Sequence, residues 1–195
     1  MLPYGLNQKV EFKKNFGPVL EELQLNEILK ISEEKFIKKI DPVYKSIRSV
    51  SSNSLVKNKD TIGFVGAPWT LLVYMINLQS PKKGLKENFF KDDNLIKSAL
   101  KVIDKFLKIH IKNQIQNGAS VIQIFDSWAG LLEEKDYQSY IYEPTTSIIN
   151  FVKSLKIPVI CFPRQIKNYQ KFCEIVKPDV AVSYTHLTLP TIFRV

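Results

Sequence analysis

Ile62-Gly63-Phe64-Val65-Gly66-Ala67-Pro68-Trp69-Thr70 and Val121-Ile122-Gln123-Ile124-Phe125-Asp126-Ser127-Trp128-Ala129-Gly130 are the two stretches that decide the fold. Each runs from an apolar, strand-like segment straight into small, polar and aromatic residues. A buried parallel strand that delivers a site at its C-terminal end reads this way.

Working outward, strand and helix signals alternate. Apolar runs at 61–65, 120–125 and 159–162 read as strands, and another begins at 178–182. Between them, helical periodicity covers 69–78, 93–117, 137–155 (interrupted near Pro144) and 165–176. Asn117-Gly118 is a helix stop. Toward the N-terminus, 1–17 reads as irregular. Two short helical patches lie within 21–40, and Asp41-Pro42 reads as a helix start. The strand runs are continuous rather than alternating, which predicts burial on both faces. Such a series is a parallel α/β architecture, satisfied by a (β/α)8 barrel or a doubly wound sheet. No G-x-G-x-x-G follows any strand, which disfavours the dinucleotide-binding version.

The 195 residues suffice for one domain. No apolar run approaches the ~18 residues of a membrane span. Met1-Leu2-Pro3-Tyr4-Gly5 lacks the basic and apolar regions of a signal peptide, so a cytoplasmic protein is expected. The net charge of +9 comes almost wholly from scattered lysines; the arginines are Arg48, Arg164 and Arg194. With abundant Asn and Ile, this is the mix an AT-rich genome encodes, and nucleic acid is not the expected partner. Cys161 and Cys173 form no C-x-x-C pair and have no histidine at ligand spacing, so buried free thiols are expected rather than a zinc site. His110 falls in a lysine-rich helix.

Within the first motif, Gly66 allows a close backbone approach, Pro68 fixes the exit, and Tyr74 falls one turn beyond Thr70. A phenol there could return to the strand mouth and donate a hydrogen bond. Phe64, Trp69 and Tyr74 could equally be core aromatics. In the second motif, Asp126 and Ser127 come directly after the strand and read as site residues if the fold is a barrel. Asp126 could instead cap the next segment or pair with a lysine. Ser127 lies in no G-x-S-x-G elbow, so it is not expected to be a nucleophile.

Gly63 to Thr70 together with Tyr74-Met75-Ile76, then Phe125 to Gly130, resemble the uroporphyrinogen decarboxylase family. The approach Asn113-Gln114-Ile115-Gln116-Asn117-Gly118-Ala119 is similar too. The resemblance runs to about Val182. It implies a (β/α)8 (TIM) barrel of which this chain holds the middle portion, an incomplete barrel. It also implies a decarboxylase that needs no cofactor, a tetrapyrrole substrate (uroporphyrinogen), no membrane or nucleic-acid partner, and a homodimer for the intact enzyme. The catalytic aspartate of the family, in a Phe-Ser-Asp-like motif, and an arginine-rich stretch that holds substrate carboxylates have no counterpart here. Met1 to Leu6 resembles the family segment immediately C-terminal to that motif. A histidine of the C-terminal half of the barrel is likewise unmatched. The resemblance makes Tyr74 and Ser127 substrate contacts and places Phe64 along the cleft. No catalytic residue and no metal ligand carries over. The fragment by itself is therefore expected to be inactive.

Val182 to Thr191 departs from the family and matches, codon for codon, the translation of a transposase-type sequencing adapter. The expected division is a partial barrel over 1–181 and a non-native tail over 182–195. His186 and Arg194 then carry no function. Two rival readings remain open. Corrinoid- or coenzyme-M-type methyltransferases share the barrel but need late Cys/His ligands to zinc. A non-catalytic basic binding module would show salt-dependent affinity for nucleic acid.

Overall fold

The computed structural model describes residues 1–14, 17–82 and 84–183. Its centre is a parallel sheet whose strand order is the chain order: β3 (Ile62–Gly66), β4 (Val121–Asp126), β5 (Val159–Pro163) and β6 (Val180–Ala181). Gly66 pairs with Phe125, and Phe125 with Phe162, so the strand ends are level. Helices α4 (Pro68–Asn77), α5 (Asp93–Gln116), α6 (Glu143–Ser154) and α7 (Tyr169–Val176) fill the crossovers. Right-handed crossovers between strands laid down in order put every helix on one face. No reversal of strand order occurs in this sheet among the described residues, so it is an arc of a (β/α)8 barrel rather than a doubly wound sheet.

The two sheet faces differ, which corrects the expectation of burial on both. Gly63 and Val65, then Ile122, Ile124 and Asp126, are buried beneath the helices, while Ile62, Phe64, Gln123 and Phe125 alternate onto the opposite face and stay partly open. A period of two puts the same apolar run on both faces, but only one face has a helix layer.

Local chemistry sets the helix limits. Asp92 starts α5 by accepting the Leu95 N–H at 2.9 Å, and Asn168 starts α7 by accepting that of Lys171 at 2.9 Å. Gly118, at φ 109°, ends the α5 turn in the left-handed region. The expected break at Pro144 takes the form of a π-type turn, Gln138–Tyr142, leading into α6.

Two N-terminal expectations are corrected. The helix expected to begin at Asp41-Pro42 begins at Glu33: α3 (Glu33–Ser51) passes through Pro42. Phe36, Ile40 and Tyr44 continue one buried stripe across it, and the carbonyl that Pro42 leaves unpaired belongs to exposed Lys38. Residues 1–17 are not irregular. They hold α1 (Leu2–Gly5) and β1 (Val10–Lys13), which pairs antiparallel with β2 (Gly17–Leu20). The hairpin is pinned to the end of α4 by the Leu20 N–H on the Leu78 carbonyl, 2.6 Å, and by Gln8 Nε2 on the Met75 carbonyl, 2.9 Å. That support is tertiary. A short helix, α2 (Leu25–Ile28), precedes α3.

Among the described residues, no helix is long and apolar enough to cross a membrane. The tail expected from 182 onward lies outside the described residues except for Val182 and Ser183.

Candidate active site

The two motifs meet at the C-terminal ends of β3 and β4. Three contacts between them centre on Trp128. The Trp128 N–H donates to Thr70 Oγ1 at 3.3 Å, the Trp69 indole N–H donates to the Trp128 carbonyl at 2.9 Å, and the Trp128 ring meets Tyr74 edge-on at 6.2 Å. The first turns of α4 thus clamp both backbone groups of the residue after Ser127.

Asp126 is the base of this clamp. Its register places it on the helix side of the sheet, where Oδ1 accepts the Thr70 hydroxyl at 2.7 Å. Of the two alternatives raised by its sequence position, no lysine pairs with it among the described residues, and the Ala129–Leu131 turn that follows has no side-chain cap. Burial pushes its pKa up to about 7, against the opposing pull of Thr70 and the Trp128 N–H. Oδ2 is buried without a partner among the described residues, as is the Trp128 indole nitrogen.

Tyr74 reaches the strand mouth. It lines a cavity of about 500 Å³ together with Gly66, Thr70, Leu71 and hairpin residues such as Val10 and Phe12. Ser127 is half-buried at the end of β4, and its hydroxyl makes no hydrogen bond among the described residues. Phe64 stands two residues below Gly66 on the open face, 66% exposed, edge-on to Phe125 at 6.1 Å; Phe125 meets Phe162 in the same way at 6.1 Å. It opens onto a separate cavity of about 290 Å³, which shares Gly66 and Leu71 with the first. Tyr74 and Ser127 therefore flank one clamp, while Phe64 belongs to an aromatic row beside it.

Below the mouth, the free edge of β3 is closed by a side chain. Gln114 on α5 accepts the Phe64 N–H at 3.1 Å and donates to the Phe64 carbonyl at 3.3 Å. Gln114 Nε2 also lies 3.1 Å from His110 Nε2, and His110 Nδ1 lies 3.1 Å from the Tyr44 hydroxyl. Burial first, and then the Met1 ammonium, hold His110 down at about 4, so it is neutral. Gly63 makes this approach possible: a Cβ there would lie 2.7 Å from Gln114 Oε1 and 3.0 Å from Ala119 Cβ. None of this network is apparent in the sequence, where Gln114 stands only as part of a helix end.

Both cysteines are free; Cys161 is buried as expected, but Cys173 is only half-buried. Among the described residues, no three His, Cys, Asp or Glu side chains gather to hold a metal ion.

The family model for uroporphyrinogen decarboxylase (URO-D) matches residues 1–184. The chain belongs to the uroporphyrinogen decarboxylase family. It is 35% identical over 185 residues to the uroporphyrinogen decarboxylase of Rickettsia bellii (strain RML369-C), covering 92% of this chain and 54% of that protein. It is likewise 35% identical to that of Rickettsia felis, covering 53% of it. The chain thus spans about half the length of these relatives. A methyltransferase from Methanosarcina mazei superposes with a TM-score of 0.65 at 14% identity, covering 93% of this chain and 61% of that one. At that identity the likeness speaks for the fold alone. It agrees with an arc of a barrel and lends no weight to methyl transfer over the chemistry of the uroporphyrinogen decarboxylase family.

Proposed function

We propose that the protein represented by this chain decarboxylates the four acetate side chains of uroporphyrinogen III, giving coproporphyrinogen III. Family membership supports the reaction class. The observation that carries the assignment to this site is the placement of Tyr74, which opens from α4 onto the cavity at the strand mouth beside Gly66 and Thr70.

The chemistry needs an electron sink. Protonation of a pyrrole ring provides one: the bond from the acetate methylene to its carboxyl breaks, the electron pair flows into the cationic ring, and carbon dioxide leaves. A proton on the methylene then completes a methyl group, and loss of the proton first placed on the ring restores the neutral pyrrole. The resemblance assigns stabilisation of the cation to a family aspartate that has no counterpart in this sequence, an electrostatic role. The residues present here hold the macrocycle. The Tyr74 phenol and the Ser127 hydroxyl donate hydrogen bonds to substrate carboxylates. The row Phe64, Phe125 and Phe162 is a low-polarity wall for a flat ring system. Asp126 does not act on substrate; its carboxyl is spent on Thr70.

Trp128 packs on Tyr74, so its fluorescence reports occupancy. Titration of the chain with uroporphyrin III, the oxidised and coloured form of the substrate, is expected to quench it saturably. Tyr74→Phe and Ser127→Ala are expected to weaken binding, each by the roughly three- to tenfold of one hydrogen bond. Quenching that does not saturate, or that both variants leave unchanged, would overturn the proposal.

A further inference from the structure

Among the described residues, Arg164 is the one cation that the strand register brings up against Ser127. Asp126 pairs with Pro163, and the Arg164 N–H bonds to the Asp126 carbonyl at 3.0 Å, which carries the β4–β5 ladder one step further. Arg164 then stands opposite Ser127, at the spacing of adjacent strands, ~4.8 Å.

The backbone there is fixed from both sides. Gly130, in the loop after β4, donates its N–H to the Arg164 carbonyl at 3.1 Å. A Cβ on Gly130 would lie 2.6 Å from Gln165 Cβ and 2.9 Å from the Gln165 carbonyl oxygen, so only glycine lets the two loops close on each other. Gln165 itself turns in the left-handed region, at φ 59°. Loops this tightly joined hold the base of the Arg164 side chain in place.

Its charge, however, is left unused. Arg164 is half-buried and enters no ion pair or side-chain hydrogen bond among the described residues. The adjacent acid, Asp126, turns to the other side of the sheet and bonds Thr70. Arg48 shows the contrast: its Nε and Nη2 both bond Asn117 Oδ1, at 2.9 and 2.6 Å. A guanidinium is always charged and presents a rigid fork that fits a carboxylate with two hydrogen bonds.

We infer that Arg164 binds a carboxylate of the substrate beside Ser127, one of the acetate carboxyl groups that the reaction removes as carbon dioxide. Arg164 is then a specificity residue: it favours acetate-bearing over methyl-bearing macrocycles and loses its contact when the acetate becomes a methyl. This rests on the proposed function.

The test compares two porphyrins. Uroporphyrin III carries acetates where coproporphyrin III carries methyls. Dissociation constants for both come from quenching of the tryptophan fluorescence of the wild-type chain, Arg164→Gln and Arg164→Lys, with circular dichroism to verify the fold. Arg164→Gln is expected to weaken uroporphyrin about ten- to a hundredfold and to leave coproporphyrin nearly unchanged, as loss of a charge-assisted pair predicts. Arg164→Lys is expected to recover part of the preference. A preference for uroporphyrin that survives in Arg164→Gln, or equal weakening of both ligands, overturns the role of Arg164 and leaves the proposed function standing. A wild-type chain that binds neither porphyrin overturns both.

Discussion

The free edge of β3 and the mouth of β4 are built from similar materials and finish differently. At the edge, Gln114, His110 and Tyr44 form a chain in which each side chain meets its neighbour, and the Phe64 amide and carbonyl are both met by Gln114. At the mouth, Asp126 Oδ2 and the Trp128 indole nitrogen have no partner among the described residues, Ser127 makes no hydrogen bond, and Arg164 has no counter-ion there. Buried polar groups are costly unless satisfied. Saturation at the edge is what architecture requires. Of the groups at the mouth, the half-buried Ser127 and Arg164 are left open in the way a polar ligand requires, while Asp126 Oδ2 is buried on the helix side of the sheet.

The sharpest way to separate the two regions is pH, because their buried groups titrate in opposite senses. Asp126 has a folded pKa of about 7 against an ordinary value of 3.8. The folded state is favoured below the lower value, and that advantage is lost as pH rises to about 7, up to ~4 kcal/mol at about 1.4 kcal/mol per pKa unit. His110 runs the other way. Its folded pKa of about 4 lies below the ordinary 6.5, so stability is intact above 6.5 and is lost as pH falls to about 4, up to ~3 kcal/mol. Denaturant unfolding of Asp126→Asn from pH 4 to 8 is expected to leave a stability that rises with pH. His110→Gln is expected to leave one that falls. Parallel slopes in the two variants would contradict the comparison.

Removing one partner from the saturated chain comes next in size. Gln114→Leu keeps the bulk but leaves the Phe64 N–H and carbonyl, and one His110 nitrogen, without their partner. The expected loss is about 2–3 kcal/mol, read as a lowered unfolding midpoint. A smaller cost is expected for Thr70→Val, about 1–2 kcal/mol, since the Asp126 carboxyl and the Trp128 N–H lose the hydroxyl between them. The two variants part company in the tryptophan signal: loosening Trp128 should alter its near-ultraviolet dichroism in Thr70→Val and leave it unchanged in Gln114→Leu.

The sheet is legible in the sequence because Gly63 to Thr70 and Val121 to Gly130 carry strand, turn and helix start within eight to ten residues each. Such signals are local. The hairpin is illegible there because β1 and β2 are held by the end of α4, far along the chain. The helix through Pro42 escapes a local reading because a proline signals a start or a break, whereas the stripe Phe36, Ile40, Tyr44 shows that the face opposite decides. Of the site, Tyr74 and Ser127 come from motif resemblance. Arg164 stands in the sequence only as one of three arginines; its signal is the β4–β5 register, which exists only once the strands are paired.

Ser127 gives the smallest effect on stability and the most pointed one. At the saturated edge, every side-chain polar atom contributes to the fold, so removal costs stability. At the mouth the Ser127 hydroxyl has nothing to lose: it is half-buried and unbonded among the described residues. Ser127→Ala is therefore expected to unfold within about 0.5 kcal/mol of the wild type, while its affinity for uroporphyrin III falls. A stability loss above about 1 kcal/mol with affinity unchanged would move Ser127 from the open mouth to the structural set, because a hydroxyl of that kind is already satisfied within the protein.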